Sequence, residues 1–425
     1  MSVQHHKGLS ASEADYQLRE YEATPYLEQD ELPPLAQQAV RREINTTDQS
    51  KEKERLILEY RADGNARIRA TQYVGVVALP EGPTIEIRPK IPNTDLLGLL
   101  QYAHGIDAQT FEYKTQLASG TRFIDALATL FENELDRVLT QGLHRSYSRV
   151  SRTTEHVRGR IEVQKQLQKQ GPTPTAFECT YDELTVDTTI NRAILYATTI
   201  LMRLTSDPEL NRALRRHQQQ LWRRVELTPV RPIELESIEL TRLMGYYEDL
   251  VRLTKLVLRS IHLEELRAAN RDTYALLMDM DRIFETVVQR LVSELANQRG
   301  WNTTPEATST RLVSGGQRRI QIRPDVLVTD GDRPVLVGDA KWKQDDPEAN
   351  SREPSSGDIY QLVSYQVAHD TPGVLFYPEQ EQTLRSTYQV RGLDSLTVVE
   401  VPVKAGDGQR LIETIEDSVA TQLPW

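Results

Sequence analysis

Cysteine is almost absent from this chain, since only one of its 425 residues, Cys179, is a cysteine. A single thiol excludes a disulfide framework and any zinc site built from several cysteines. The eight histidines are scattered and do not show the paired spacing of a metal site. The sequence is therefore not that of a disulfide-stabilised protein or a cysteine-rich zinc protein.

Long apolar runs are also missing. No stretch is apolar over the length needed to cross a bilayer, and the first residues lack the apolar core of a signal peptide. We therefore expect a cytoplasmic protein with no membrane partner. The sequence also lacks a Gly-x-x-x-x-Gly-Lys-Ser/Thr phosphate loop, so any nucleotide hydrolysis linked to this protein must come from a partner.

Lysine is scarce. The chain has 51 Lys and Arg, of which only 11 are Lys, against 62 Asp and Glu, and its net charge is −11. Low lysine with an acidic surface is typical of a high-salt cytoplasm, so we expect a halophilic source. An acidic protein needs local basic clusters to bind a polyanion. One cluster, residues 211–224, lies on a predicted helix that could contact phosphates, although such a run is more often a solvated helical face.

The most informative charged residues lie in two predicted strands, 323–328 and 335–341, which form a hairpin. Asp325 lies on the first strand, directly after a proline. Asp339 and Lys341 share one face of the second strand, because strand side chains alternate between faces. The hairpin is therefore expected to bring two carboxylates and an ammonium together.

Two carboxylates at a sheet edge can hold Mg²⁺ or Mn²⁺, and a nearby ammonium can orient an attacking water. The alternative is an ordinary hairpin whose charges face water. Against that alternative, Asp339 directly continues an apolar run, where an isolated charge is costly unless it is paired or bound to an ion. The order Pro-Asp then Asp-x-Lys resembles the PD-(D/E)xK nucleases.

Two predicted helices flank the hairpin. In the upstream helix, 281–295, Glu285 falls at the rim of an apolar stripe and matches the extra acidic ligand of many PD-(D/E)xK enzymes. In the downstream helix, 357–368, Gln361 and Tyr365 stand one turn apart on one face. This Gln-x-x-x-Tyr resembles the third motif of RecB-type nucleases. The alternatives are a solvated carboxylate for the first helix and core tyrosines for the second.

Three neighbouring residues carry secondary expectations. Trp342 points away from the acidic face and is expected in the core, as is Tyr360. Lys343 shares the face of the Asp-x-Lys residues and could hold a DNA phosphate.

The chain is expected to be an α+β multidomain protein with an N-terminal small antiparallel β unit, a central helical region and a C-terminal α/β PD-(D/E)xK (restriction-endonuclease-like) domain. The predicted regions are an acidic, loosely ordered lead-in over 1–50 with one short helix near 35–43, a β unit plus helices over 51–150, a helical middle over 151–275 and a nuclease domain over 276–425. The strands of the β unit are predicted at 55–60, 66–70, 73–79 and 84–91. Apolar periodicity predicts helices over 96–103, 123–139, 190–204, 212–225 and 243–266.

A series of strings over roughly residues 55–400 resembles McrC, the nuclease subunits of McrBC modification-dependent restriction systems. In order, they are VGV…IEIRPKI, RGRI, YDELTVDTTINRAI, the Glu helix, Pro-Asp, DAKWK and DIYQLVSY. The resemblance implies an endonuclease subunit that cuts DNA in a modified-cytosine-dependent system. It also implies a partner, an McrB-like AAA+ GTPase ring, whose GTP hydrolysis this subunit stimulates and which the region 51–150 is expected to bind.

Within that family the expected site is a metal-dependent phosphodiesterase. Asp325 and Asp339 would be direct metal ligands. The backbone carbonyl of Ala340 would add a further ligand, and Glu285 would act through water or a second metal.

Three more residues are expected to act on the water and the substrate. Lys341 would position the water, Gln361 would fix the water or phosphate, and Tyr365 would line the strand.

Partner contact is predicted for Arg158 and Arg160, which flank a glycine that lets the backbone approach closely. Internal pairing of these arginines with Asp182, Glu183 or Asp187 is the competing interpretation. Two other functions share parts of the pattern. One is a catalytically silent GTPase-activating adaptor, and the other is a stand-alone RecB-type nuclease.

Overall fold

The computed structural model describes residues 14–45, 54–106, 123–169, 175–236, 238, 240–260, 274–305, 310–313, 320–344, 353–384, 386–404 and 411–424. Its strands are β1 (Tyr16–Arg19), β2 (Leu56–Tyr60), β3 (Ala66–Ala70), β4 (Tyr73–Ala78), β5 (Thr84–Arg88), β6 (Ser146–Thr154), β7 (Arg160–Ile161), β8 (Phe177–Thr185), β9 (Tyr274–Asp279), β10 (Asn302–Pro305), β11 (Thr310–Val313), β12 (Ile320–Ile322), β13 (Val326–Asp330), β14 (Arg333–Ala340), β15 (Gly373–Pro378), β16 (Thr387–Tyr388) and β17 (Leu396–Val401).

Its α-helices are α1 (Pro34–Ala39), α2 (Leu96–His104), α3 (Phe123–Gln141), α4 (Val163–Lys169), α5 (Thr189–Leu204), α6 (Pro208–Trp222), α7 (Pro232–Glu236), α8 (Glu248–Ser260), α9 (Met280–Asn297), α10 (Ser356–His369) and α11 (Leu411–Ala420). A π-helical segment, Val40–Ile44, follows α1, and a 3₁₀ segment, Arg242–Tyr247, precedes α8. Within the described ranges, no helix combines the length and the apolar character that a membrane span requires.

The chain divides into two compact units. One contains Ile124–Arg259, and the other combines Glu13–Phe123 with Ser260–Trp425. The molecule is thus a mixed α/β multidomain protein, as expected. The second unit is discontinuous in sequence, because it joins the front of the chain to its C-terminal part.

The predicted β unit is not self-contained. All four predicted strands are present, but β2 and β3 form their own pair, while β4 and β5 belong to a sheet with the order β1-β5-β4-β9. In that sheet β1 runs parallel to β5 and β9 runs antiparallel to β4. The predicted strands pair antiparallel as expected, β2 with β3 and β4 with β5, but strands from before the unit and from 274–279 complete the sheet.

The lead-in is also more ordered than predicted over residues 14–45. It contributes β1, the expected short helix and the π-helical segment. Its Leu18, Leu27 and Leu32 are buried in a core that includes Ile68 and Ile85. Sparse apolar residues in an acidic segment suggested loose order, but these few leucines are enough to pack the segment onto the sheets.

The C-terminal part is built on a six-stranded sheet with the order β10-β13-β14-β15-β17-β16. The hairpin β13–β14 is antiparallel, whereas β14, β15 and β17 run parallel. Helices α9 and α10 pack on strands of this sheet. Each helix begins at a side-chain cap: Asp279 accepts from the backbone N–H groups of the first turn of α9, and Ser355 does so for α10.

The unit Ile124–Arg259 is mainly helical, with α5 packed against α6. Helices α2, α3, α5 and α6 match the predicted helices closely. The predicted helix 243–266 is realised as the 3₁₀ segment and α8, and residues 261–266 lie outside the described residues. Apolar periodicity did not predict the three-stranded sheet β6-β8-β7, whose strand β6 is largely exposed.

Candidate active site

The two predicted aspartates meet at the open end of the hairpin. The register pairs Val326 with Gly338, and extending it by one residue places Asp325 opposite Asp339. The backbone N–H of Ala340 donates to Oδ2 of Asp325 at 2.7 Å, which fixes that carboxyl group against β14. The two carboxyl groups are close enough for the charge of Asp339 to raise the pKa of Asp325.

Asp339 is only 2% exposed. Its Oδ2 accepts no aligned hydrogen bond from a described residue, and its close contact is the ammonium of Lys341, 2.5 Å away. A buried carboxylate oxygen is costly unless a cation or donor stands close to it. The prediction that Asp339 and Lys341 share a face is confirmed.

The electrostatics of this cluster depart strongly from those of exposed groups. Burial, and then the negative charges of Asp339 and Glu285, raise the pKa of Asp325 to about 8. Burial also raises the pKa of Asp339, against the opposing effect of Lys341. Burial works to lower the pKa of Lys341, but the neighbouring carboxylates outweigh it and the pKa is raised. The site holds more negative charge than its single lysine neutralises.

Helix α10 brings the predicted glutamine and tyrosine to the same cluster. Gln361 accepts a hydrogen bond from Nζ of Lys341 at 3.0 Å and directs its amide N–H groups to Oδ1 of Asp339, 3.5 Å away, and to the hydroxyl of Tyr365, 2.7 Å away. The Tyr365 hydroxyl in turn donates to the carbonyl of Arg323 at 3.1 Å, just before the first aspartate. The glutamine therefore connects helix, lysine and carboxylate.

Helix α9 places Glu285 at the edge of the site. Its side chain is half-buried, in agreement with the predicted rim position, and its charge acts on Asp325. The amide of Gln289, one turn later, donates to Oε1 of Glu285 at 3.2 Å and to the carbonyl of Asp325 at 3.0 Å. Gln289 was not predicted as a site residue, although its spacing of four from Glu285 indicated a contact between the two side chains.

A second acidic group, Asp358, was not singled out from the sequence. It is buried in the first turn of α10 and accepts from Nζ of Lys343 at 2.5 Å and from the Tyr377 hydroxyl at 2.6 Å. Burial acts to raise its pKa, but these hydrogen bonds outweigh burial, so that the pKa is lowered and the group stays ionised. Lys343 lies beside the cluster with its ammonium held by this carboxylate.

The two aromatic expectations have opposite outcomes. Trp342 is buried, as predicted, and its ring packs against Phe284 at a centroid distance of 5.5 Å. Its indole N–H donates to Oε2 of Glu20, 3.0 Å away. Tyr360, however, is 72% exposed, so its predicted place in the core is wrong. Gln361 and Tyr365 take the inward face of α10, which turns Tyr360 to solvent.

The cluster suits a hard divalent cation, since its donors are carboxylate oxygens and one of them is buried without an aligned hydrogen bond. Among the described residues, no three His, Cys, Asp or Glu side chains are grouped closely enough to hold a metal ion. The ligand roles of Asp325, Asp339 and Glu285 stay predictions. The ligand role of the Ala340 carbonyl remains a prediction.

The two partner-contact candidates lie in the other unit. Gly159, between them, has φ +62°, and an added Cβ would stand 2.5 Å from the Thr180 carbonyl oxygen, so a close backbone approach does require glycine. The guanidinium of Arg158 lies over the Tyr181 ring at 4.6 Å. The predicted internal partners pair elsewhere within the described residues: Asp182 with Arg149, Glu183 with Arg152, and Asp187 with Arg192.

Fold and cluster together define a mixed α/β multidomain protein with an acidic site beside a lysine on a sheet. The chain belongs to the McrBC family, since the family model described as McrBC 5-methylcytosine restriction system component matches residues 68–378. The Escherichia coli (strain K12) type IV methyl-directed restriction enzyme EcoKMcrBC is 21% identical over 330 residues, which are 72% of this chain and 91% of that protein.

Among solved structures, this chain resembles one in a refined half-complex from a tetradecameric assembly of Thermococcus gammatolerans McrB AAA+ hexamers with bound McrC. The TM-score is 0.63 at 20% identity, covering 96% of this chain and 99% of that chain. A cryo-EM structure of the Thermococcus gammatolerans McrBC complex gives a TM-score of 0.44 at 21% identity, covering 66% and 87%. The first likeness shows that the fold extends over nearly the whole chain.

Proposed function

We propose that this protein is the DNA-cutting subunit of a modified-cytosine-dependent restriction system and that its C-terminal part is a PD-(D/E)xK nuclease domain. The observation that carries the proposal is the meeting of Asp325, Asp339 and Lys341, with Gln361 bridging the lysine and the second aspartate. A silent adaptor would not need to bury two carboxylates beside one ammonium, because such an arrangement costs stability.

The residues divide the work of phosphodiester hydrolysis. Asp325 and Asp339 would hold Mg²⁺ or Mn²⁺. Lys341, whose raised pKa keeps it protonated, supplies positive charge beside the attacked phosphate and directs the attacking water. Gln361 holds the lysine in place and offers its amide to water or phosphate. When bound, the divalent ion supplies Lewis acidity and offsets charge on the phosphate.

Two neighbours extend the site toward DNA. Tyr365 anchors Gln361 and faces the strand that leads into Asp325. Lys343, held by the carboxylate of Asp358, would contact a phosphate next to the one that is cut. Glu285, whose charge acts on Asp325, would bind through water or a second metal.

The partner would be an McrB-like AAA+ GTPase ring, as the family and the assembly of the similar structure suggest. The sheet β6-β8-β7 is a suitable contact surface, because its cross-strand pair Tyr147 and Leu184 is 73% and 48% exposed. Exposed apolar pairs of this kind are typical of protein interfaces. Arg160 lies on β7 of the same sheet and Arg158 lies two residues before it, and both carry guanidinium groups suited to phosphate or carboxylate.

The test is cleavage of methylated and unmodified plasmid with Mg²⁺ and GTP, with and without the ring partner. The variants are Asp339→Ala and Lys341→Ala, and Arg231→Ala serves as a control because it removes an exposed charge outside both the site and the proposed contact sheet. We expect cutting of methylated plasmid that depends on the partner, is lost in both site variants and is kept in the control.

Other outcomes would overturn the proposal in distinct ways. Stimulated GTP hydrolysis without any cutting would identify a silent adaptor. Cutting without partner or nucleotide would identify a stand-alone nuclease. Cutting that persists in both site variants would place the chemistry elsewhere in the chain.

A further inference from the structure

Helix α6 carries a basic face that the proposed function does not use. Residues 210–225 contain five arginines and no Asp or Glu, in a chain whose net charge is −11. The buried side of the helix consists of Leu210, Leu214, His217, Gln218 and Leu221. The arginines are exposed, and the positive charge is therefore concentrated on the solvent side of one helix.

Three of the arginines form a line along the helix axis. At about 100° per residue, Arg212, Arg216 and Arg223 fall within an arc of about 40°, and the backbone of Arg223 is still in the helical region. At about 1.5 Å per residue, the line is about 16 Å long. Gln219 lies on the same line. We call these four residues the α6 stripe.

The stripe is poorly neutralised by its own chain. Arg212 faces Glu209 at 3.7 Å in a pair that is exposed on both sides and contributes little. Neither Arg216 nor Arg223 forms an ion pair with any described residue. By contrast, the exposed Arg231, Arg252 and Arg259 of the same unit each have a glutamate partner. An acidic protein needs local positive charge to bind a polyanion, and a line of arginines with little internal charge pairing provides it.

An exposed tryptophan borders the stripe. Trp222 is 60% exposed and, with Gln219 and Arg223, lines an open groove of about 430 Å³. Exposing an apolar indole to water is unfavourable. Aromatic side chains beside arginines are common on protein surfaces that bind nucleic acids. A helical face that only contacted water would not need an exposed tryptophan.

We propose that the α6 stripe binds the phosphate backbone of DNA, with Trp222 packing against the sugars alongside. A line of about 16 Å matches about five base-pair rises along one strand. The surface would hold DNA on the unit Ile124–Arg259, apart from the residues that cut it. It binds by charge and does not read sequence, since arginines that contact phosphates carry no base information.

The test measures binding alone, so its result does not depend on whether the protein cuts DNA. Full-length protein in EDTA, without the ring partner, is titrated into a fluorescent unmodified duplex of about 30 base pairs over a KCl series. The test variant combines Arg212→Gln, Arg216→Gln and Arg223→Gln. The control combines Arg231→Gln, Arg252→Gln and Arg259→Gln, which changes the net charge equally.

For the stripe variant we expect the slope of log affinity against log salt to fall in magnitude by about 3, and the affinity near 0.2 M KCl to fall roughly 10- to 100-fold. Trp222→Ala is expected to weaken binding without changing the slope, because indole carries no charge. The control should match the unmodified protein.

A stripe variant that keeps the original slope, or a control variant that loses as much affinity as the stripe variant, would overturn the proposal. If the stripe variant instead lost only the stimulation of GTP hydrolysis, the surface would belong to a protein partner. A circular dichroism melt of each variant confirms folding, and the single substitution Arg216→Gln, with an expected slope change of about 1, repeats the test with less perturbation.

Discussion

Two sheets of this protein each carry a pair of oppositely charged side chains, and the two pairs differ in their burial. On β6 and β8, Arg149 and Asp182 stand 3.5 Å apart with side chains that are 77% and 57% exposed. At the end of β14, Lys341 and Asp339 stand 2.5 Å apart with side chains that are 20% and 2% exposed. The chemical types are alike, and burial is what separates them.

Burial changes what such a pair can do. Water screens the exposed pair, whose Coulomb attraction is offset by the entropy of holding two long side chains. The buried pair lies in a medium of lower effective dielectric, beside a second aspartate, so each charge acts strongly on its neighbours. We infer that catalysis by this chain would take place where charged side chains lie close together and away from water. The β6–β8 sheet contains more charged side chains, but they are exposed.

The largest effect is expected for the lysine of the buried pair. Lys341→Ala removes the positive charge next to Asp339 and the hydrogen bond to Gln361, and should lower the rate of DNA cleavage by roughly 10²- to 10³-fold. The measurement is the rate of supercoiled plasmid loss at saturating partner. Arg231→Ala, which removes an exposed positive charge outside both the site and the proposed partner-contact sheet, is the control and should cut at the original rate.

The result would contradict the comparison if both variants lost the same activity. It would also do so if Lys341→Ala cut DNA at nearly the original rate. Charge in the buried position, and not charge in general, is the property under test.

The next effect concerns pH and metal. Because the pKa of Asp325 is raised to about 8, the folded protein holds a proton that the unfolded chain has released above its ordinary pKa near 3.8. The free energy of unfolding contributed by this group is therefore highest at low pH and falls as the pH rises toward 8. Mg²⁺ would compete with that proton and should stabilise the fold more at pH 8 than at pH 6, by up to about 2.7 kcal/mol at a hundredfold excess over Kd.

Urea unfolding in EDTA and in Mg²⁺ at the two pH values measures this difference. Asp325→Asn is the control, because an amide cannot titrate and should remove the share of the pH slope that comes from Asp325 and most of the metal effect. An equal Mg²⁺ effect on the variant and the original protein would mean that the ion binds elsewhere.

The sequence was a good guide to the site and a poorer guide to the assembly of its sheets. Local patterns predicted the hairpin, the Glu285 helix and the Gln361–Tyr365 helix, because each depends on neighbours within one element. The contribution of Glu20 to the environment of Trp342 could not be predicted, since 322 positions separate the two residues. Pairing of β9 with β4 is hidden in the same way, as nothing in either segment specifies the other.

Glu20 also supplies a buried pair outside the candidate active site. Its carboxylate accepts from the indole of Trp342 and from the backbone of Lys90, and it stands 3.4 Å from the Lys90 ammonium. Glu20→Gln keeps the shape but leaves that ammonium without its counter-charge, and should lower the free energy of unfolding by about 1–3 kcal/mol. Urea denaturation measures the loss. The nearby exposed Glu22→Gln is the control, and an equal loss in both variants would show that burial does not matter here.

The smallest effect is expected for the exposed pair on β6 and β8. A double-mutant cycle with Arg149→Ala and Asp182→Ala should give a coupling free energy of at most about 0.5 kcal/mol, because both side chains are exposed and their contact is long. Urea unfolding of the two single variants and the double variant measures this coupling in the full chain. A coupling above about 1 kcal/mol would mean that the pair is shielded from water in solution, and exposure would then no longer explain why this sheet and the β14 site differ.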